Sequence, residues 1–289
     1  MRIAYFGWEF GEKSKEVLHK SLNGNGYTGI DIEQTPDASF DYFLSKSTGD
    51  PYEENRPKVL LRNRIFEQWP REKIIVMEMP FFPKMRGSCR LVMSGLMRTD
   101  TRYIEKPNYS KLIYFMNLYK RVEDHEKRKF VGIPLQIPSD KSLMGLGEPR
   151  AQKYLDFVIE NINRLYETTK YPIILKFHPK LKEDRKDFVT ELFDRVDKTR
   201  FAIYKEKDLD GFFGLCKFTF SYTSNTSVES YMCGVPTFVH SKDSWAWPLS
   251  VNAGLSVSEQ KKWLAILAAN QYHFSEFESG QPFHDILRV

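Results

Sequence analysis

The sequence predicts an α/β protein made of two Rossmann-like domains. Three observations carry that expectation. The chain has 289 residues, enough for two domains, since a single hydrophobic core stops growing at roughly 250–300 residues. Through the second half, short apolar runs alternate with amphipathic helical patterns, the order of a doubly wound parallel sheet. The chain also opens on an apolar run, Met1 to Gly7, followed by a loop and a helical pattern, which is how such a domain begins.

Composition narrows the class. With 41% hydrophobic and 28% charged residues the chain is globular rather than disordered. Its 3 cysteines show neither a pairing pattern nor metal-ligand spacing, which suits a reducing compartment. Cys233, just before the helix-ending Gly234, is expected to be buried and inert. No apolar signal region opens the chain, and no run approaches the roughly twenty apolar residues of a membrane span. A soluble, cytoplasmic protein is therefore expected. The formal charge of +5 permits a polyanionic partner without requiring one.

In the first half, Trp8 to Gly11 forms the loop after the opening strand, and Lys13 to Leu22 has helical spacing ended by the turn cluster Asn23-Gly24-Asn25-Gly26. No G-x-G-x-x-G follows, which excludes dinucleotide binding of the dehydrogenase kind. Phe40 to Leu44 and Ile74 to Glu78 read as strands, with KVLLRNRIFEQW between them as a helix. Pro80 to Pro83 then sends the chain into an extended loop. Lys84 to Lys106 reads as a basic loop in which Arg86, Arg90, Arg98 and Arg102 alternate with methionines and Tyr103. That loop is either a solvated face or an acceptor surface for a negatively charged substrate. The charged stretch Lys120 to Lys129 is read as the interdomain linker, which sets the domains at 1–125 and 126–269. The tail, 270–289, holds Tyr272, Phe274, Phe277 and Phe283 and is expected to pack back onto the first domain.

In the second half, Val131 to Pro138, Tyr171 to Phe177, Phe201 to Tyr204, Phe218 to Tyr222 and Pro236 to His240 read as strands. Gln152 to Thr168 is an amphipathic helix with Tyr154, Phe157, Val158, Ile162 and Leu165 on one stripe. Asp184 to Val196 is a second helix, Asp208 starts a third, and Ser256 to Ala269 is another. The strand Tyr171 to Phe177 runs straight into His178-Pro179-Lys180. A histidine at the carboxyl end of a parallel strand points where open α/β sheets bind ligands. Flanked by Lys176 and Lys180, His178 suits an anion. Between the last two strands stand Ser224, Asn225, Thr226 and Ser227, all helix-capping residues. Helix-initial N–H groups lack intrahelical partners and lie at the positive end of the dipole, so a phosphate fits there. Glu229 would accept hydrogen bonds from a ribose or base. The plainer alternative is a structural cap in which Glu229 closes a capping box.

At these residues the chain resembles a known family. The Lys176-x-His178-Pro179 element, the T-S-x-x-x-x-E-x-x-x-x-G-x-P element from Thr223 to Pro236, the S-W-A-W segment from Ser244 to Trp247, and IPLQIPSDKSLMGL from Ile133 to Leu146 are together similar to the donor half of bacterial capsular polysaccharide (Kdo-transferase-type) glycosyltransferases. The resemblance covers Val131 to Trp247. It implies a GT-B-like fold, two Rossmann-like domains facing a cleft, with a nucleotide-sugar held by the second domain through Gln136, Ser139, Lys176, His178, Lys180, Ser224 to Ser227 and Glu229. The family's catalytic base is the acidic residue in E-D-G-F-L. Here the stretch reads E-M-P-F-F and that position is Met79, so the base does not carry over. Glu78 is the first choice, with Asp100, Asp50 and Glu9 as competitors.

The expected reaction is direct displacement, with His178, Lys176 and the Ser224 to Ser227 turn neutralising the leaving phosphate. Metal and cofactor are not expected beyond the nucleotide-sugar co-substrate. Asp208-Leu209-Asp210 has D-x-D spacing but opens a helix. A compact basic enzyme with an arginine-rich acceptor side suits double-stranded DNA carrying 5-hydroxymethylpyrimidines, as in a bacteriophage DNA-modifying enzyme working in the host cytoplasm. A capsular or surface polysaccharide is the alternative acceptor. A phosphoglycerol or phosphate transferase, or a non-catalytic nucleic-acid-binding protein, are the rivals of other kinds.

Overall fold

A computed structural model of the chain describes residues 1–10, 12–33, 39–46, 57–123, 126, 128–179, 181 and 186–288. The chain forms two compact units, Met1–Leu118 with Lys261–Val289, and Tyr119–Gln260.

Unit one holds a six-stranded sheet of β1 (Arg2–Tyr5), β2 (Thr28–Asp31), β3 (Tyr42–Ser45), β4 (Ile74–Glu78), β5 (Ser88–Met93) and the late strand β11 (Gln271–His273). Their order is β11-β5-β4-β3-β1-β2. β2, β1, β3 and β4 are parallel, while β5 and β11 close the sheet in antiparallel fashion. The central strands are buried along their length because parallel sheets are covered on both faces. Ile3, Tyr5, Leu44, Ile75 and Leu91 meet Leu18 and Leu22 of the Glu12–Gly24 helix in one core. That helix stops at the asparagine-glycine cluster, where Gly26 takes the left-handed φ of +81° that side chains resist. Phe277, Phe283 and Ile286 of the tail fill the same core, and β11 pairs with β5.

The stretch Lys84 to Lys106 departs from the expected loop. Its middle is β5, six buried residues with Cys89, Leu91 and Met93 in the core. Arg90 is only 4% exposed, with its guanidinium 4.9 Å from the Phe81 ring centroid and donating to the Leu96 carbonyl at 3.4 Å. A planar, weakly hydrated guanidinium can be buried on an aromatic face in this way, so arginine content disguised a strand as a loop. Thr28–Asp31 is a second strand missing from the sequence reading, lacking an apolar run of its own.

Unit two holds β6 (Phe130–Pro134), β7 (Ile173–Lys176), β8 (Phe201–Tyr204), β9 (Cys216–Ser221) and β10 (Thr237–Val239), all parallel, in the order β10-β9-β6-β7-β8. The chain winds from β6 through β7 to β8, then crosses back to β9 and β10. The order therefore reverses between β6 and β9. A topological switch point is where open α/β sheets leave a crevice at the carboxyl ends of their strands. The Arg150–Thr169 helix buries Tyr154, Leu155, Val158, Ile162 and Leu165 against this sheet. Gly132 is required in β6, since a Cβ there would lie 2.4 Å from the Cys216 sulfur. Cys89, Cys216 and Cys233 form no disulfide and are buried, and burial pushes the Cys89 and Cys216 thiols up to about 12.

The described part of the expected linker is mostly exposed but is tied down at two residues. Val122 donates to the Cys233 carbonyl at 2.9 Å. Arg128, 4% exposed, donates to the carbonyls of Val122 and Gly234 at 2.6 and 3.2 Å, so its charge serves to stitch this segment to unit two.

Candidate functional site

The switch point in unit two is held shut by a buried amide. Gln136, just beyond β6, donates from Nε2 to Thr223 Oγ1 and to Ser142 Oγ, each at 3.0 Å. Its Oε1 accepts the Thr223 N–H at 3.1 Å. Its own N–H donates to the Tyr154 hydroxyl at 2.8 Å. Thr223 Oγ1 donates onward to the Ser142 carbonyl at 3.1 Å, and Ser244 Oγ donates to the Thr223 carbonyl at 3.2 Å. Gln136, expected among donor ligands, ties the turn after β9 to the end of β6. Ser139 lies exposed on the adjacent turn, with Asp140 capping Ser142 at 2.8 Å. Arg150, which the sequence reading missed, holds this turn by donating to the Ser139 and Asp140 carbonyls at 3.2 and 3.4 Å and pairing with Glu148 at 3.2 Å. Its signal was weak, a lone arginine opening a helix.

The hydroxyl-rich turn leads into the Thr226–Met232 helix. Its N–H groups are less free than expected: Thr226 donates to Ser224 Oγ at 3.2 Å, Ser227 to the Ser224 carbonyl at 3.1 Å, and Val228 to the Asn225 carbonyl at 2.9 Å. Ser224, Asn225 and Thr226 are half-buried at the strand end. Ser227 is fully buried, and its hydroxyl is paired with that of Ser221 at 2.8 Å. Glu229 is 5% exposed in the first helical turn.

At the end of β7, Lys176 turns toward β8. Its Nζ donates to the Glu206 carbonyl at 2.7 Å and lies 5.3 Å from the Tyr204 ring centroid. Lys176, expected to face a donor phosphate, is here engaged by the Tyr204 ring of β8 and by the Glu206 carbonyl just beyond that strand. His178 follows, half-buried, two residues past the strand. Lys180 lies outside the described residues. After β10 stands His240, a residue sequence reasoning treated only as a strand end. Its ring stacks on Tyr222 with centroids 5.6 Å apart and meets Phe157 edge-on at 4.9 Å. Burial, aided by Arg164, holds its pKa below the ordinary histidine value.

Unit one carries the candidate bases at two different ends of its sheet. Glu9, in the loop after β1, and Glu78, ending β4, belong to the carboxyl edge. Glu9 is 7% exposed. It accepts from Arg62 Nε at 2.8 Å, Ser45 Oγ at 3.3 Å and the Lys46 N–H at 2.8 Å, and burial still raises its pKa against the pull of Arg62. Glu78 is half-buried, accepting the Met79 N–H at 3.2 Å. Asp100 is elsewhere: Met93, before it, pairs with Ile75 at the start of β4. Its Oδ1 accepts from the Met97 N–H at 2.8 Å and the Thr101 hydroxyl at 3.2 Å, and burial raises its pKa. Asp100 thus caps a turn at the opposite edge from Glu78. Asp50 lies outside the described residues.

The four arginines do not form one face. Arg90 is buried in β5, and Arg98 is half-buried. Arg86 is exposed before β5, beside the Glu78 end, whereas Arg102 is exposed after it, bridged to Met93. Among the described residues no group of three His, Cys, Asp or Glu is placed to hold a metal ion. No described helix is long and apolar enough to cross a membrane.

Among solved structures the fold is similar to two Thermosulfurimonas dismutans KpsC structures. One is a beta Kdo 2,4 transferase, with a TM-score of 0.58 and 14% identity over 94% of this chain and 92% of that one. The other is a beta Kdo 2,7 transferase, with a TM-score of 0.54 and 14% identity over 99% of this chain and 98% of that one. A UDP-GlcNAc 2-epimerase of Methanocaldococcus jannaschii aligns at a TM-score of 0.36 and 12% identity over 100% of this chain and 99% of that one, and carries no argument. No protein family and no curated protein matches the sequence. The chain has the GT-B-like α/β fold, with one unit built on a mostly parallel sheet and the other on a fully parallel one.

Proposed function

We propose that the protein is a nucleotide-sugar-dependent glycosyltransferase whose acceptor is a capsular or surface polysaccharide. The observation that carries this reading is the switch point of unit two, where buried Gln136 ties Thr223 to the end of β6 and so presents Ser224, Asn225 and Thr226 at the strand ends. The likeness of the fold to two Kdo transferases supports it.

In this reading the donor phosphates lie over Ser224 to Thr226, where the Ser224 hydroxyl exchanges its contact with the Thr226 N–H for the ligand. His178 neutralises charge on the leaving phosphate, and Glu229 anchors the first helical turn beneath. Glu78 takes the acceptor proton, as the bond from the acceptor oxygen to the anomeric carbon forms and the bond to the phosphate breaks. Glu9 is the weaker choice because its carboxylate is already engaged by Arg62, Ser45 and Lys46. Arg86, at the same edge as Glu78, contacts the acceptor. We propose no cofactor beyond the co-substrate; Asp208, of the D-x-D-spaced pair, caps a helix by accepting the Gly211 N–H at 2.6 Å.

A saccharide acceptor is favoured over DNA because the expected arginine surface is broken up. Arg90 is buried on Phe81, and Arg86 and Arg102 lie at opposite ends of β5. The test is a panel of nucleotide-sugars scored by thermal shift and hydrolysis, then by transfer to acidic oligosaccharides and to hydroxymethylated duplex DNA. Transfer to the oligosaccharides is expected. A panel in which no nucleotide-sugar stabilises the protein or is hydrolysed sinks the reading, and transfer to DNA alone restores the other acceptor.

A further inference from the structure

Unit one contains a pocket of about 1030 Å³ between the segment after β5 and the end of the chain, where the Gln281–Ile286 helix lies. It belongs to the amino-edge side of the sheet, because Met93, which pairs with Ile75 at the start of β4, also bridges Arg102 on the pocket wall. Glu78 and Glu9 lie at the other edge. Arg102, Lys106 and Arg288 bring three cations to the wall, and Glu105 and Asp285 bring two carboxylates. Asp285 is held in place by the Tyr272 hydroxyl at 3.2 Å. Tyr109, 45% exposed, adds an aromatic ring.

We infer that this pocket holds a carboxylate-bearing saccharide chain away from the reacting hydroxyl. A guanidinium fork takes a carboxylate through two parallel hydrogen bonds. Interleaved carboxylates accept hydrogen bonds from sugar hydroxyls, which a DNA backbone does not offer, so the mixed wall suits an acidic sugar better than DNA. The exposed tyrosine face offers flat apolar surface to the C–H face of a sugar ring. The volume is at the upper end of the range of ligand pockets, roughly 300–1,000 Å³, and so fits more than a monosaccharide. The identity of the chain rests on the polysaccharide acceptor proposed above, but its binding does not require transfer.

Calorimetry on the full chain tests this with oligogalacturonate as the carboxylate-bearing probe, a maltooligosaccharide of equal length as the neutral one, and a DNA duplex as a polyphosphate. Oligogalacturonate is expected to bind about tenfold or more tighter than the neutral chain and the duplex. Tyr109→Ala should weaken it about tenfold, and Lys106→Glu with Arg288→Glu about a hundredfold. All three positions are exposed, and unchanged melting curves verify folding. No binding of oligogalacturonate, equal affinity in the variants, or equal affinity for the duplex overturns the inference. Loss of binding in the variants of a protein that takes no nucleotide-sugar leaves the pocket standing and removes only the transferase reading.

Discussion

Replacing Gln136 with leucine isolates the tie that makes the site. The wild-type amide makes three contacts across the switch point, to the Thr223 N–H at 3.1 Å and to the hydroxyls of Thr223 and Ser142 at 3.0 Å each. Leucine keeps the volume and removes all three. The Thr223 N–H then has no acceptor while Thr223 is 4% exposed, and an orphaned buried donor costs roughly 1–3 kcal/mol. The two hydroxyl contacts add about 0.5–1.5 kcal/mol each, although hydroxyls can rotate toward other partners. Leucine returns about 1 kcal/mol as buried apolar surface. The expected net loss is about 2–3 kcal/mol, read by urea unfolding with tryptophan fluorescence, because Trp245 is buried beside this turn. Donor affinity should fall as well, since Ser224 directly follows the released Thr223. A stability change below about 0.5 kcal/mol, the size of an ordinary surface substitution, together with unchanged donor affinity would refute the reasoning.

Other expectations concern the same machinery. Ser224→Ala with Thr226→Ala should weaken donor binding by about 1.5–3 kcal/mol per lost charge-assisted contact, with the fold kept and melting lowered only by the lost Ser224–Thr226 contact; calorimetry showing wild-type affinity removes this turn from the site. His178→Ala should lower turnover by about 10² to 10⁴-fold per folded molecule, and a variant that is merely less stable but equally active makes His178 structural. Glu78→Gln should bind donor and transfer nothing, whereas Glu9→Gln should mainly destabilise by removing the charge that pairs with Arg62; an active Glu78→Gln beside a stable, inactive Glu9→Gln reverses the assignment. For His240, whose folded pKa is depressed, the folded state binds fewer protons than the unfolded one, so its contribution is present above the ordinary histidine range and lost as pH falls through it. His240→Phe keeps the ring contact and should flatten the decline of melting temperature on acidification, and an unchanged slope excludes His240 as its source.

Much of this protein could be read from local sequence because the physics involved is local. The strand running into His178, the glycine-asparagine stop of the first helix and the stripe of the Arg150–Thr169 helix each depend on residues within a few turns of one another. The residue types at the candidate site were legible for the same reason: hydroxyls and a histidine at strand ends advertise their chemistry without partners. What those side chains do was decided by the order of strands. Gln136 meets Thr223, 87 residues away, only because β9 returns to lie beside β6. Lys176 is drawn off to the Glu206 carbonyl because β8 lies next to β7. Ser227 pairs with Ser221 at the end of β9. Arg90 became part of a buried strand because Phe81 offers its guanidinium a ring, so a charge that marks a surface in sequence marks the interior in the fold. Sequence assigns each residue its donors, acceptors and charge. Which of them remain available to a ligand depends on tertiary neighbours, since a buried polar group must take a partner wherever the chain brings one.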